Sequence, residues 1–374
     1  MLLAVIVVPF GVATAVGLVL LWPTHSSVRV PPELAQPRRA EAVVLTTTPG
    51  PCPGSQDQSP DCLLSQVRLQ TGRDRGEVVE IEQNGDPDLL KLVPGDRVLL
   101  AESPKYVGSG WYFEDYARRR PLLVLLAVFA AAVVLLGRWR GVFALVALAF
   151  SLLVLIRFML PSILEGHDPV AVALVGSAVI MFVALYLSHG FNVRTTSAVA
   201  GTLISLVITG LLAGGFVHLT DLTGIGSEEG EYLRALAGNV NLRGLLLGGM
   251  VVGSLGVLDD VTITQASAVW ELSLANRSYG ARRLYRAALR IGRDHIASTV
   301  NTLVLAYAGA ALPLLVLFTL SSQRLGDVLS GELVAEEIVR TLVGSIGLVA
   351  SVPITTAITA FVATRHRHPG EPTT

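Results

Sequence analysis

Charge is what this chain most lacks. Only 15% of its 374 residues are Asp, Glu, Lys or Arg, against about 25% in soluble domains. Its hydrophobic share is 52%, more apolar surface than a soluble protein of this size can hide. Together these exclude a soluble globular enzyme and a disordered chain. With 28 basic and 29 acidic residues, the net charge of −1 leaves no basic domain for nucleic acid. Two cysteines exclude a disulfide-dense scaffold and cannot build a structural zinc site alone. His189, His218 and His295 are scattered and suggest no metal cluster. H-E-x-x-H, G-x-S-x-G and Walker A patterns are all missing. The chain is therefore expected to be neither an enzyme nor a cofactor or metal carrier.

Long apolar runs dominate instead. A spanning helix needs about 20 mostly apolar residues. Eight stretches qualify or come close: 2–22, 121–137, 141–160, 169–188, 196–217, 244–270, 296–320 and 339–362. Of 57 charged residues only Arg157, Asp259, Asp260 and Arg340 fall inside them. The expected fold is an all-α polytopic membrane bundle of about eight spans, with a small extracytoplasmic β-domain between spans one and two. With the amino terminus in the cytoplasm, short inner loops and the tail hold eleven arginines, and short outer loops hold three, Arg234, Arg243 and Arg324. That bias sets both termini inside and residues 23–120 outside. Span one reads as an uncleaved anchor, because it lacks a basic n-region and a small-x-small site; a signal peptide is the competing reading. The expected divisions are an anchor over 1–22, a linker and β-domain over 23–120, a bundle over 121–362 and a cytoplasmic tail over 363–374.

Residues 23–120 carry most of the prolines, both cysteines and twelve of the basic residues. Ala42–Thr48, Gln66–Thr71, Gly76–Glu82 and Arg97–Glu102 have strand character. Val79 and Ile81 alternate with Glu80 and Glu82, and Asn84-Gly85-Asp86 and Pro94-Gly95-Asp96 signal turns. A small OB-like barrel or a sandwich fits. Cys52 and Cys62 are disulfide candidates in an oxidising compartment, with unpaired thiols as the alternative.

The span 244–270 is the most informative. Gly248, Gly249, Gly253 and Gly256 allow close helix approach. Asp259 and Asp260 follow, near the middle of the span. Each ionised Asp there costs at least about 2.5–3.5 kcal/mol, so the pair needs a reason. A proton or cation site is one; a hydrogen-bonded pair that locks the bundle is the other. Thr264 and Gln265 extend the polar surface, and Asn301 and Thr302 of the next span lie at similar depth. If the two spans are antiparallel neighbours, Asn301 reaches an acid; otherwise Ser, Thr and Asn only glue helices. Arg282, Arg286, Arg290 and Arg293 form one stripe opposite Leu284, Ala288 and Ile291. This reads as a basic amphipathic helix on anionic inner-leaflet lipid, as plain topology charge, or as a coupling helix for a cytosolic partner. Arg157 either snorkels or pairs with Glu165 or Asp168. Pro313 and Pro353 are expected to kink the last two spans. No internal repeat emerges from the sequence.

Three segments carry a resemblance: Asn239-Val240-Asn241-Leu242-Arg243-Gly244, LGVLDDVTITQASAVWEL (255–272) and IGRDHIASTVNTLVLAYAGAALPLL (291–315). They resemble the YibE/F-like family of bacterial membrane proteins over residues 120–362. The resemblance implies a multi-pass plasma-membrane protein of permease-like character with no assigned substrate. It marks Asp259 or Asp260, and also Gly292, Asp294, Asn301 and Thr302. Two functions follow as expectations. One is a permease of a small solute or ion. The other is a membrane scaffold or sensor whose outer domain binds a ligand or partner. The expected partners are anionic lipid, the unidentified solute or ion, and a second copy in a homo-oligomer, with no nucleic acid. An intramembrane aspartyl protease needs acids from two helices close enough to share a proton, and no second span offers a deep acid.

Overall fold

The structure, a computed structural model, describes residues 2–24, 37–50, 62–84, 92–102, 110–236, 240–320 and 324–366. The chain forms two compact units, Met1–Val28 with Leu136–Thr374, and Arg29–Leu135.

The second unit is built on one antiparallel sheet of five strands: β1 Arg39–Gly50, β2 Cys62–Leu69, β3 Val78–Asn84, β4 Arg97–Glu102 and β5 Trp111–Tyr116. Their order is β3-β2-β1-β4-β5. The edge strands β3 and β5 draw together without pairing. The period of two decides the core. Ala40, Ala42, Val44, Val67, Leu69, Val79, Ile81, Val98 and Leu100 all point inward. Trp111, Phe113 and Tyr116 cover them from β5, a strand the sequence reading omits. Irregular register at Val44/Thr46 and Leu99/Leu100 bends β1 and β4. Gly95, at φ +101°, turns the chain into β4 while its N–H donates to Val44 O at 2.8 Å. The Asn84-Gly85-Asp86 turn extends outside the described residues.

The helices are α1 Leu2–Leu20, α2 Arg119–Val154, α3 Leu160–Leu164, α4 Pro169–His189, α5 Val193–Leu219, α6 Glu228–Leu236, α7 Leu242–Ala275, α8 Ala281–Ala310, α9 Leu312–Leu320, α10 Leu325–Ser330 and α11 Glu332–Arg365. A five-residue π-helical segment, Leu155–Met159, joins α2 to α3. Their starts follow capping chemistry. Asp168 accepts from Ala171 N at 2.8 Å, Asn192 from Thr195 N at 2.8 Å and Asn241 from Gly244 N at 3.0 Å. Among the described residues six helical stretches are long and apolar enough to cross a membrane, and a seventh forms if the bent pair α8–α9 is one span. The eight separate stretches of the sequence reading merge in one place. Residues 119–164 are continuous helix, interrupted at Arg138, whose φ of 52° is not helical. The first half of this stretch, to Leu135, groups with the sheet. The α8–α9 pair bends by 61° at Ala311, next to Pro313.

In the first unit α5, α7 and α11 pack most closely, with α4 and α8 flanking α7. Pro169 O and Ala173 Cβ lie 3.1 and 3.2 Å from where a Gly248 Cβ would sit, so α4 and α7 start together and run in the same direction. Helix α5 meets α11 head to tail. A Cβ on Gly201 would overlap the Thr355 hydroxyl, and one on Gly347 would overlap the Thr209 hydroxyl. Both helices carry Gly-x3-Ser-x3-Thr, as Gly201-Ser205-Thr209 and Gly347-Ser351-Thr355. The register sets the two copies against each other in opposite directions, with Ser205 facing Ser351. This short inverted repeat is invisible along the sequence, because only the antiparallel contact brings the copies together. Ser197, Thr202, Ser205, Thr209, Ser351, Thr355, Thr356 and Thr359 are all fully buried along this seam. Helix α1 joins the bundle through Gly17, which lies against Val175, and through Ser162 Oγ, which donates to Leu21 O at 2.8 Å.

Candidate functional site

Helix α7 presents three surfaces, and the polar residues divide among them. Leu258, Thr262, Gln265 and Val269 face α5, α8 and α11. Thr262 Oγ1 and Thr202 Oγ1 of α5 are 2.6 Å apart. Gln265 Nε2 donates to Ala288 O of α8 at 2.9 Å and to Thr356 Oγ1 of α11 at 2.8 Å. Gln265, expected beside the acids as an ion- or substrate-binding residue, clasps three helices together. Gly292 admits it: a Cβ there would lie 2.5 Å from Val352 Cγ1 and 3.0 Å from Gln265 Oε1.

Asp259 lies on the next surface, beside Leu255 and Ile263 of the apolar cluster shared with α4 and α5. Its Oδ1 is buried and has no hydrogen-bond partner. An unpaired buried carboxylate oxygen costs about 1–3 kcal/mol or more. Asp260 belongs to the third surface, which is open. Gly249, Gly253, Gly256, Asp260 and Thr264 form one exposed stripe. Thr264 Oγ1 donates back to Asp260 O. The 12 residues from Gly248 to Asp260 rise about 18 Å. That puts Asp260 about 6 Å past the middle of α4, toward His189. Asp260 is one of the charges that act on His189, with Arg194 and Arg140.

Asn301 and Thr302 are exposed on α8. Thr302 Oγ1 donates to Ser298 O at 3.0 Å, and among the described residues no hydrogen bond joins either side chain to an acid. The antiparallel neighbourhood of α7 and α8 is present, but these residues point away from it. Of the four glycines expected to pack helices, only Gly248 meets a close neighbour. Gly249 and Gly256 face open space, and Gly253 has only Tyr307 Oη at 3.5 Å from a would-be Cβ. The glycines that permit close approach are Gly201, Gly347, Gly292 and Gly176, the last beneath Met159.

The basic stripe continues directly into α8. Arg282, Arg286, Arg290 and Arg293 are all exposed, while Leu284 and Ala288 are fully buried against Val269 and Ala360. Ile291 is 42% exposed and leaves the apolar stripe; Gly292 takes its place. Protein, rather than lipid, covers the apolar side of this segment. Arg157 pairs with neither expected acid. Asp168 caps α4, and Glu165 accepts from Thr24 N at 2.9 Å. Cys62 is buried and disulfide-bonded; Cys52 lies outside the described residues. Ser227 Oγ accepts from Gly230 N at 3.0 Å at the start of α6.

A second buried acid lies near the start of α11, ahead of the apolar run 339–362. Glu336 is 8% exposed with Oε1 unpartnered, and Arg340 Nε on the next turn is equally unpartnered. Arg340 Nη1 donates to Glu337 Oε1 at 2.7 Å. The Glu332-x3-Glu336-x3-Arg340 spacing was the available signal, but it precedes the apolar run that drew attention. Gln265 is level with Thr356, so Asp259 is level with residue 350 of α11, and 14 residues separate that level from Glu336. The separation is about 21 Å along the helices, far beyond proton sharing. Among the described residues no group of three or more His, Cys, Asp or Glu is placed to hold a metal.

Long apolar helices around a seam of buried hydroxyls, with an acid pair on one of them, define a polytopic membrane protein with a small antiparallel sheet unit. The YibE/F-like protein family model matches residues 125–365, nearly the whole helical part beyond α1, and the chain belongs to that family. No curated protein and no solved structure matches the chain.

Proposed function

We propose that the protein is a permease-like transporter of a small solute or ion, with Asp259 and Asp260 as its coupling site. The observation that carries this reading is the unpartnered Oδ1 of Asp259, held in apolar packing one residue from an exposed Asp260. The same helix holds both cases: Gln265 Nε2 has two partners on neighbouring helices, and the Asp259 carboxylate oxygen, the more costly group to leave alone, has none. Intramembrane ionisable groups are functional by default. Dividing residues 119–164 at Arg138 and counting α8–α9 as one span brings the total to eight. In this reading the bundle spans the plasma membrane with both termini cytoplasmic and the sheet outside, which the arginine bias of the loops supports. The sheet's order, with β3 and β5 drawing together, is that of a partly open OB-like barrel. The chain is not an enzyme, in this reading.

The test is flux in proteoliposomes carrying an entrapped pH dye, under an imposed potential and with a panel of ions and small solutes outside. Asp259→Asn is expected to abolish any coupled proton movement and Asp260→Asn to reduce it. Unchanged fluxes in both variants would sink the coupling role. A stoichiometric membrane partner lost on deleting 276–295 would favour the scaffold reading instead.

A further inference from the structure

A cleft of about 360 Å³ opens where α7 begins. It is lined by Thr223, Ile225, Arg234, Val240, Asn241, Leu242 and Arg243. Its size suits a small ligand. Among the described residues its chemistry has one sign: two guanidinium groups line it and no carboxylate does. Arg234, on α6, makes no ion pair or hydrogen bond among the described residues. Arg243 uses only its Nε, which donates to Leu222 O at 2.8 Å; its Nη groups remain available. Asn241 accepts through Oδ1 from Gly244 N, leaving its amide as a donor. The first turn of α7 adds the positive end of a long helix dipole.

The rim is rigid on one side. Glu332 Oε1 accepts from Thr223 N at 2.6 Å, Thr223 Oγ1 at 2.6 Å and Gly224 N at 3.0 Å. That carboxylate is engaged by the 223–224 loop and does not line the cleft. Gly224, at φ +78°, lies tight against Leu242, since a Cβ there would come within 2.7 Å of Leu242 O. The loop is thus clasped between α11 and the start of α7, and it supports Arg243 from below through Leu222 O. Two arginines on different elements, neither in an ion pair among the described residues and one of them held through its Nε, line one opening, and such a pair suits an oxyanion.

We propose that this cleft binds a phosphate group, recognised by Arg234 and Arg243 with the Asn241 amide as a further donor. A tetrahedral oxyanion presents three or four oxygens out of one plane to forks approaching from two sides, where a carboxylate presents two oxygens in one plane. The membrane side assigned to the site rests on the orientation argued above; the binding does not. In that orientation short outer loops keep only three arginines, and two of the three converge here. The phosphate belongs either to a free anion or to an anionic lipid headgroup at the interface.

The experiment uses the full chain in detergent, titrated with inorganic phosphate and followed by calorimetry and thermal unfolding. Wild type is expected to bind and to gain thermal stability. Arg234→Gln is expected to weaken binding about tenfold or more, with the melting point of the unliganded protein unchanged, because that side chain has no partner to lose. Arg234→Lys, keeping the charge but not the fork, is expected to fall between. In parallel, the chain in nanodiscs containing phosphatidylglycerol is examined for retained lipid by native mass spectrometry. Phosphate binding that falls in Arg234→Gln supports a free anion. No response to phosphate, with retained phosphatidylglycerol falling in Arg234→Gln, supports the headgroup. Neither response, or binding indifferent to both Arg234 variants, overturns the proposal. Flux through the acid pair is a separate readout, so failure here leaves the transport reading standing.

Discussion

The two sides of α7 make a natural contrast. Toward α5, α8 and α11 the polar side chains of α7 itself are engaged: Thr262 meets Thr202, the Gln265 Nε2 bonds two helices, and Gly292 clears the space for it. Around Asp259 and along the open stripe of Gly249, Gly253, Gly256, Asp260 and Thr264, polarity is left unsatisfied or uncovered. The first pattern is how a bundle is glued where hydrophobic burial supplies no drive. The second is what gluing alone does not produce. Reading both as one polar helix obscures the difference between residues that hold the fold and residues kept despite their cost.

The largest effect should come from the closed side. Gly347→Val is expected to prevent stable folding, and Gly347→Ala to cost about 1–3 kcal/mol through overpacking against Thr209. Gly256→Ala should leave stability unchanged or raise it by up to about 1 kcal/mol. Thermal and denaturant unfolding in detergent would measure this, and equal losses in the two alanine variants would erase the contrast. A smaller effect separates the acids. Asp259→Asn removes an unpaired buried carboxylate and should stabilise by about 1 kcal/mol, while Asp260→Asn, on the open stripe, should change little. A loss of stability in Asp259→Asn would show that its carboxylate is satisfied after all, moving it to the structural side.

The smallest effect lies in the sheet unit. Partial burial, reinforced by Glu80, holds the Glu82 carboxyl above the usual Glu range. Its charged form is therefore disfavoured in the folded state. Glu82→Gln should be slightly stabilising at pH 7, and the gain should vanish as pH falls through the folded and then the unfolded value, where wild type is protonated too. Hydrogen exchange of β2 and β3 amides against pH would follow it. Asp115 runs the other way, since Tyr116 N–H and the Arg118 guanidinium hold it below the usual range. Its contribution is present at neutral pH and lost on acidification.

Much of the architecture is legible without coordinates. Apolar run length found the long helices, and alternation found four of the five strands. The fifth, Trp111–Tyr116, lacks alternation: all six residues are half-buried, so no period of two marks it. The merging of α2 across Arg138 escaped notice because a charged pair beside a glycine looks like a loop. Site residues fared less evenly. Asp259 and Asp260 were conspicuous, because two acids in an oily run are improbable. Gln265, Asn301 and Thr302 were grouped with them by depth, but depth does not specify azimuth, and each points elsewhere. Glu336 went unnoticed because it sits just outside the run, and the arginine cleft because its members are separated by a turn, a helix and a loop.

Composition and the spacing of apolar residues were enough to determine that this chain enters a bilayer and where its acids lie along it. Those properties depend on transfer free energies, which are local and add along the chain. Which glycines touch, which hydroxyls pair and which carboxylate is left alone were decided only in three dimensions. They depend on the rotation of one helix against another, and that rotation is set jointly by every neighbour in the bundle.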